Sequence, residues 1–349
     1  MNVILKPLFT KLNNINGFTL ILSWVMMMLS YTTMAQDPVF SRYSANPQSD
    51  NPAFTGSARN TSVYAVYRNQ YPSLTTNYLT YALGGSTFID DLNSGFGISA
   101  LYDDSADGLY KTISAKLNYA YRLQLANGAY LNAGLALGFG RTEVDFQRLI
   151  FLDQIDPITG PVTGGGLPLP TDELRPAEQF VNYLDMGAGV LFYSQKFYIG
   201  SSFDHLNNPN NDFLEANAGS GNGVDGLPLR WTIRGGATIP LLEQRNETII
   251  SVHPQLLYSR QRDFGQLNAG AYLQYKVVDF GASVRLSGST ADAVILSGGW
   301  KIDAVKIYYA YDFTISKLAA VSGGAHEIGI NYRIGPEQKA EVECFDFYR

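Results

Sequence analysis

Three histidines are the side chains of this sequence best suited to move a proton near neutral pH. His205 follows Asp204, an adjacent acid–imidazole pair. His253 stands beside Pro254, and His326 precedes Glu327. A hydrolase built on such a base needs a nucleophile or a second carboxylate within reach. No spacing in the chain sets one beside Asp204-His205, so the histidines read as hydrogen-bonded or solvated groups. Asp103-Asp104-Ser105-Ala106-Asp107-Gly108 gathers carboxylates in the manner of a calcium loop but lacks the distal bidentate glutamate. It reads as a polar turn between two strands. Gly164-Gly165-Gly166 has no Lys-Ser/Thr after it and no helix behind it, so it is no phosphate loop. Cys344 is the one cysteine, which excludes a disulfide framework and cysteine-based metal sites. The expectation is a non-enzymatic protein with no catalytic, cofactor-binding or metal residues.

The elements around these residues are those of a charge-poor β protein. Among 349 residues, 16% are charged, against about 25% in an ordinary soluble protein. The chain carries 34 Gly, 23 Tyr and 19 Phe. A net charge of -6 argues against nucleic acid, which wants a basic face. Apolar residues at 46% are too many for a disordered chain. Lys6 and Lys11 precede an apolar stretch from Phe18 to Leu29, and Thr33-Met34-Ala35 has small residues where a signal peptidase reads them. Residues 1–35 are therefore expected to be a cleaved signal peptide, with Gln36 opening the mature chain. Beyond that stretch there is no apolar run of about 18 residues, so spanning helices are excluded.

The remainder of the chain alternates with period two. From Thr112 to Arg122 one parity is Ile113, Ala115, Leu117, Tyr119 and Tyr121, and the other is small or polar. Leu131–Gly140 and Glu327–Ile334 repeat the pattern. A soluble sandwich would carry Lys and Glu on its second face, whereas Gly, Asn and Ser suit the lumen of a membrane barrel. The fold class expected is all-β: a closed transmembrane antiparallel β-barrel of about fourteen strands, with short periplasmic turns and longer extracellular loops. Residues 36–60 form an N-terminal periplasmic or plug segment, 61–334 the barrel and 335–349 a tail. The eighth strand is expected over 229–239, with Pro240–Asn246 as a turn. Two connections are long, Glu143–Phe180 and Asp204–Leu229. Charges of both signs recur on lumen parity (Lys116, Arg122, Asp185, Arg230, Arg234, Asp279, Arg285, Lys306, Asp312, Glu327, Arg333), which favours a narrow or plugged barrel over a selective pore.

Two segments stand out as partner contacts. Gln36–Gly56 has too many turn formers for a spanning strand, yet Phe40, Tyr43 and Phe54 are too apolar for a free tail. It either plugs the barrel or docks a periplasmic protein. The long loop from Glu143 is of a length that tends to be functional or disordered, and its apolar opening, Leu149-Ile150-Phe151, followed by Asp153, Gln154 and Asp156, argues for order.

The motifs in these segments carry a resemblance. In order they are Gln36-Asp37-Pro38-Val39-Phe40-Ser41-Arg42-Tyr43, Asn51-Pro52-Ala53-Phe54-Thr55-Gly56, Tyr67-Arg68-Asn69-Gln70-Tyr71-Pro72, Leu149 to Asp156, Tyr311 to Leu318, and Ala325-His326-Glu327-Ile328. In order and spacing they resemble the PorP/SprF family of type IX secretion outer-membrane proteins of Bacteroidota. The family usually has Trp where Tyr71 stands and Gly where Leu152 stands, and the tail ends in Arg349 rather than an aromatic residue. The resemblance implies an outer-membrane component without chemistry of its own. Its partners would be lipid, type IX components on the periplasmic side, and a secreted surface protein outside. It would help to export or hold an adhesin. The alternatives from residues alone are a porin or hydrophobic-solute transporter, and a barrel enzyme.

Overall fold

β-branched and aromatic residues at every second position suit a pleated surface with one greasy side, and each such run is a strand bonded to neighbours on both sides. The computed structural model describes residues 37–335, apart from 127, 157–159, 161–168, 174–175, 177, 212, 214–225, 245–246, 289 and 316–318. The expected signal peptide, Gly164–Gly166 and the tail with Cys344 lie outside the described residues.

The strands are β1 (Thr61–Gln70), β2 (Tyr78–Ile89), β3 (Ser94–Ser105), β4 (Tyr110–Ala126), β5 (Ala129–Val144), β6 (Phe180–Ser194), β7 (Phe197–Asp204) and β8 (Arg230–Ala237). They continue as β9 (Ile239–Gln244), β10 (Glu247–Gln261), β11 (Phe264–Tyr275), β12 (Val278–Ser287), β13 (Thr290–Ile302), β14 (Val305–Thr314) and β15 (Ala325–Ile334). Apart from the stave that β8 and β9 share, each pairs antiparallel with its sequence neighbour. β15 returns to β1, from Gln70↔Ala325 to Thr61↔Ile334, which closes the wall. Both β8 and β9 lie against β10, so they are one stave broken at Thr238, and the barrel has 14 staves. Closure removes the sheet edges that a bilayer does not tolerate.

The stave through β8 and β9 corrects one expectation, because the strand does not stop at Pro240. Proline lacks the N–H a ladder needs and survives in strands at bulges or edges. Here the register against β10 shifts between Thr248 and Ile250 and again between Ile250 and Ser251, which lets β9 run on to Gln244.

Connections sort by end. One end holds the short turns, among them Asp90–Asn93, Gln195-Lys196, Lys276-Val277 and Asp303-Ala304. From the other end leave the connections 71–77, 145–179, 205–229 and 315–324, and the short turns 106–109 and 262–263 lie there too, so the longest connections share one end but the sorting is not complete. In outer-membrane barrels the short-turn end is periplasmic. Outward positions such as Leu117, Leu135 and Phe280 are more than half exposed, whereas lumen positions Asn118, Asn132 and Asp279 are buried. With no water inside the bilayer, that exposed apolar belt is where lipid sits.

Candidate functional site: a plugged lumen and a braced outer loop

The lumen is filled by the chain's own N-terminal segment. Three short 3-10 turns, Tyr43–Ala45, Pro47–Ser49 and Pro52–Phe54, fold it compactly. Pro47 and Pro52 sit at the first positions of their turns, where a missing N–H costs nothing. Asn51 caps the last turn by accepting from Ala53 N at 2.9 Å. Its amide donates in turn to the carbonyls of Val190 (3.1 Å) and Ser201 (3.2 Å) on β6 and β7. The wall is cut away to receive this backbone: a Cβ on Gly134 would lie 2.3 Å from Ala53 N, and one on Gly189 would lie 2.1 Å from Asn51 Oδ1. Lumen glycines are therefore a seat for the plug.

The plug has an apolar foot. Ala53 and Phe54 are buried with Tyr130, Leu191, Tyr193 and Tyr198 near the short-turn end, and Phe54 meets the Tyr198 ring edge-on at 5.6 Å. Asn132 Nδ2 donates to Ala53 O at 3.0 Å. Above the foot the contacts turn ionic. Glu327, fully buried on β15, accepts from the backbone N–H groups of Ser41 (2.6 Å) and Arg42 (3.0 Å). Arg68 on β1 donates to Ser41 Oγ and pairs with Asp312 (2.9 Å) and Glu327 (3.4 Å), while Arg285 reaches Asp312 at 2.7 Å. Arg42 pairs with Asp279 at 2.6 Å and lies between the Tyr272 and Tyr308 rings, 4.9 and 5.1 Å away. Asp50 answers Arg234 at 2.8 Å and Arg230 at 3.3 Å. Unpaired buried charge is strongly destabilising, so each of these groups depends on its partner across the lumen.

This latch gathers motifs far apart in sequence. Ser41-Arg42, Arg68, Asp312 and Glu327 come from four of the six motifs and meet in one cluster. Sequence reasoning placed Asp312 and Glu327 in the lumen but missed Arg42, Asp50 and Arg68 as ionic partners. Arg68 lies on the inward parity of Tyr64 and Val66, and that parity was the signal available. Arg42 and Asp50 lie in a segment without periodicity, where no pattern tells which way a side chain points.

The expected contact residues fall into two separate places. Phe40 packs with Tyr64, Val66 and Ala82 inside the barrel. Tyr43 and Phe54 face the Arg234 guanidinium, 5.5 and 5.4 Å from its carbon. In this conformation all three aromatics touch the wall, so a partner reaches them only if the plug moves. The histidines are hydrogen-bonded. His205 Nδ1 lies 2.9 Å from Asp185, which also pairs with Lys116 at 3.0 Å. His253 Nε2 is 2.8 Å from Ser251 Oγ, and His326 Nδ1 is 2.7 Å from Tyr309 OH. The acidic turn is held by its own bonds, Thr80 Oγ1 to Asp103 (2.6 Å) and Gly108 N to Asp104 (2.5 Å). Among the described residues no three His, Cys, Asp or Glu side chains gather as metal ligands.

The second place is the outer loop. Gln154 is buried; its Oε1 accepts from Phe151 N at 3.0 Å, and its Nε2 donates to Leu169 O at 2.6 Å. Asp153 accepts from Thr171 Oγ1 (2.8 Å) and Asp172 N (2.8 Å). The Asp172 N–H, then the Thr171 hydroxyl, hold its carboxyl below the ordinary value of 3.8. Asp156 and Gly160 exchange backbone bonds at 2.9 Å. These bonds brace the neck of the loop and turn Ile150, Leu152 and Ile155 outward, with Leu152 87% exposed, while Leu149 and Phe151 are half-buried. Phe146 meets Phe213 edge-on at 5.5 Å, joining the two long loops.

A closed, lipid-belted barrel with its lumen filled by its own N-terminal segment defines an outer-membrane protein of the plugged β-barrel class. The chain belongs to the family of the type IX secretion system membrane protein PorP/SprF, whose model matches residues 32–332. Among solved structures it is similar to the toluene transporter TodX of Pseudomonas putida, at 9% identity and a TM-score of 0.50, covering 87% of this chain and 99% of that one. It is also similar to the monoaromatic hydrocarbon channel CymD (11% identity, TM-score 0.49, 85% and 94% covered). The toluene transporter TbuX of Ralstonia pickettii is a third (11%, 0.48, 83% and 94%). At such identities the likeness is one of fold alone. Comparison with curated proteins gives no match.

Proposed function

We propose that this protein is a non-enzymatic docking barrel of the type IX secretion machinery, one that helps to export a secreted adhesin-like protein or hold it at the cell surface. Family membership supplies the machinery. The observation that carries the docking reading is the outer loop, where Asp153 and Gln154 use their polar groups on the loop's own backbone and leave Ile150, Leu152 and Ile155 facing outward. Exposed large apolar side chains on a braced loop above the membrane suit contact with a protein. The plug points away from an open porin, since a barrel filled by its own chain offers no steady path for ions. A signal peptide over 1–35 and a contribution to gliding motility belong to the same proposal, as do type IX components binding at the periplasmic end.

The test separates the two readings. Deleting residues 160–171, or replacing Leu152 by Asp, should leave heat-modifiable barrel migration intact and lower the amount of type IX adhesin at the cell surface several-fold. Unchanged adhesin together with lower uptake of hydrophobic solute would put the transporter reading in its place.

A further inference from the structure

The two arginines of β8 are held in a way that the docking reading does not use. Arg230 and Arg234 both point into the lumen, with side chains 9% and 1% exposed. Their shared counter-ion is Asp50, one carboxylate oxygen to each guanidinium, at 3.3 and 2.8 Å. Ser259 Oγ orients Arg230 by accepting from its Nε at 3.2 Å. Arg234 Nη2 also donates to Tyr43 O at 2.7 Å, and its guanidinium faces the rings of Tyr43 and Phe54. These partners of the Arg234 guanidinium all belong to the plug. Asp50 itself is 14% exposed, so water reaches the carboxylate more readily than it reaches Arg234.

We propose that Arg230 and Arg234 form a carboxylate-binding site in the lumen, and that Asp50 is its built-in occupant, exchangeable for the carboxylate of an acidic peptide segment. Two guanidiniums on one strand, each offering a donor to a separate oxygen, match a carboxylate well. The segment around Asp50 is tied to the wall chiefly by ion pairs and hydrogen bonds, whereas Ala53 and Phe54 are tied by apolar burial. Simple departure of Asp50 would take the counter-ion from the buried Arg234 guanidinium, which is heavily penalised. Exchange avoids that penalty, because an incoming carboxylate takes the place of Asp50 beside Arg234. The site reads charge and an extended shape, and it stands whether or not the loop partner is an adhesin.

The measurement is binding of a fluorescent Asp/Glu-rich octapeptide to the full-length protein in nanodiscs, by anisotropy, with a Lys-rich octapeptide at the same ionic strength as control. Asp50→Asn removes the competitor and should tighten the acidic peptide at least tenfold. Arg234→Gln should abolish its binding, and Arg234→Lys should weaken it by losing the fork. Heat-modifiable migration reports whether each barrel is assembled; if Arg234→Gln is not, Asp50→Asn and Arg234→Lys decide. Equal affinity for wild type and Asp50→Asn, no binding to either, or equal binding of the basic peptide would each overturn the site.

Discussion

Val284 and Ser283 are neighbours on β12 that live in different solvents, the first 41% exposed on the outer wall and the second buried in the lumen. That difference sets a sharp expectation for charge. Arg at Val284 meets lipid and should cost about 2–4 kcal/mol, whereas Arg at Ser283 can reach the lumen's carboxylates and should cost less. Urea midpoints of the two variants in lipid vesicles measure the difference, and a larger loss for Ser283→Arg would invert the faces. At this scale much was legible, because parity alone tells which way a strand residue points. Arg230, Arg234, Asp279, Asp312 and Glu327 were all placed inward on that ground, and all are buried. Arg42 and Asp50 were not legible, since they flank short 3-10 turns in a segment with no period to tell which way a side chain points.

The strands were the most legible elements and the irregular ones the least. Period two survives through β5 and β15 without interruption and through β4 as far as Leu123, while Pro240 hid the continuation of the eighth stave because a bulge's register shift leaves no mark in sequence. Gln36–Gly56 stayed open between plug and docking segment for a related reason: the complementary shape is carried by glycines on distant strands, among them Gly95, Gly134 and Gly189. The outer loop was legible as ordered from its apolar opening, but the work of Asp153 and Gln154 was not. Asp153 also gives the loop a pH signature. Its folded-state carboxyl titrates below the ordinary 3.8, so its bracing contacts are fully present above that value and are lost as pH falls below it. Hydrogen exchange at the Asp172 amide, corrected for the intrinsic effect of pH, should show protection at neutral pH that disappears in acid. Asp153→Ala should show no such protection at neutral pH.

For the whole molecule the sorting of connections gives an orientation: long loops outside, short turns in the periplasm. With Cys344 replaced by Ser, a cysteine at Gly160 should react with an impermeant maleimide on intact cells, and one at Gln195 should react only after the outer membrane is opened. The opposite pattern would turn the barrel over, along with both proposed docking faces.

The bond from Ser41 to Glu327 also orders events in time. It spans 286 residues, and the partners of Arg42 and Arg68 on β12, β14 and β15 are likewise among the last parts of the chain to be made. Contacts so distant in sequence cannot form until the intervening chain is in place. The N-terminal segment therefore emerges first and is secured last, after β15 has found β1. Until that moment the ionic latch of Ser41, Arg42 and Arg68 lacks its partners, even where Phe40 and Phe54 already have theirs on β1, β2 and β5 to β7. Final seating of this segment is then the step that separates a closed wall from a finished protein.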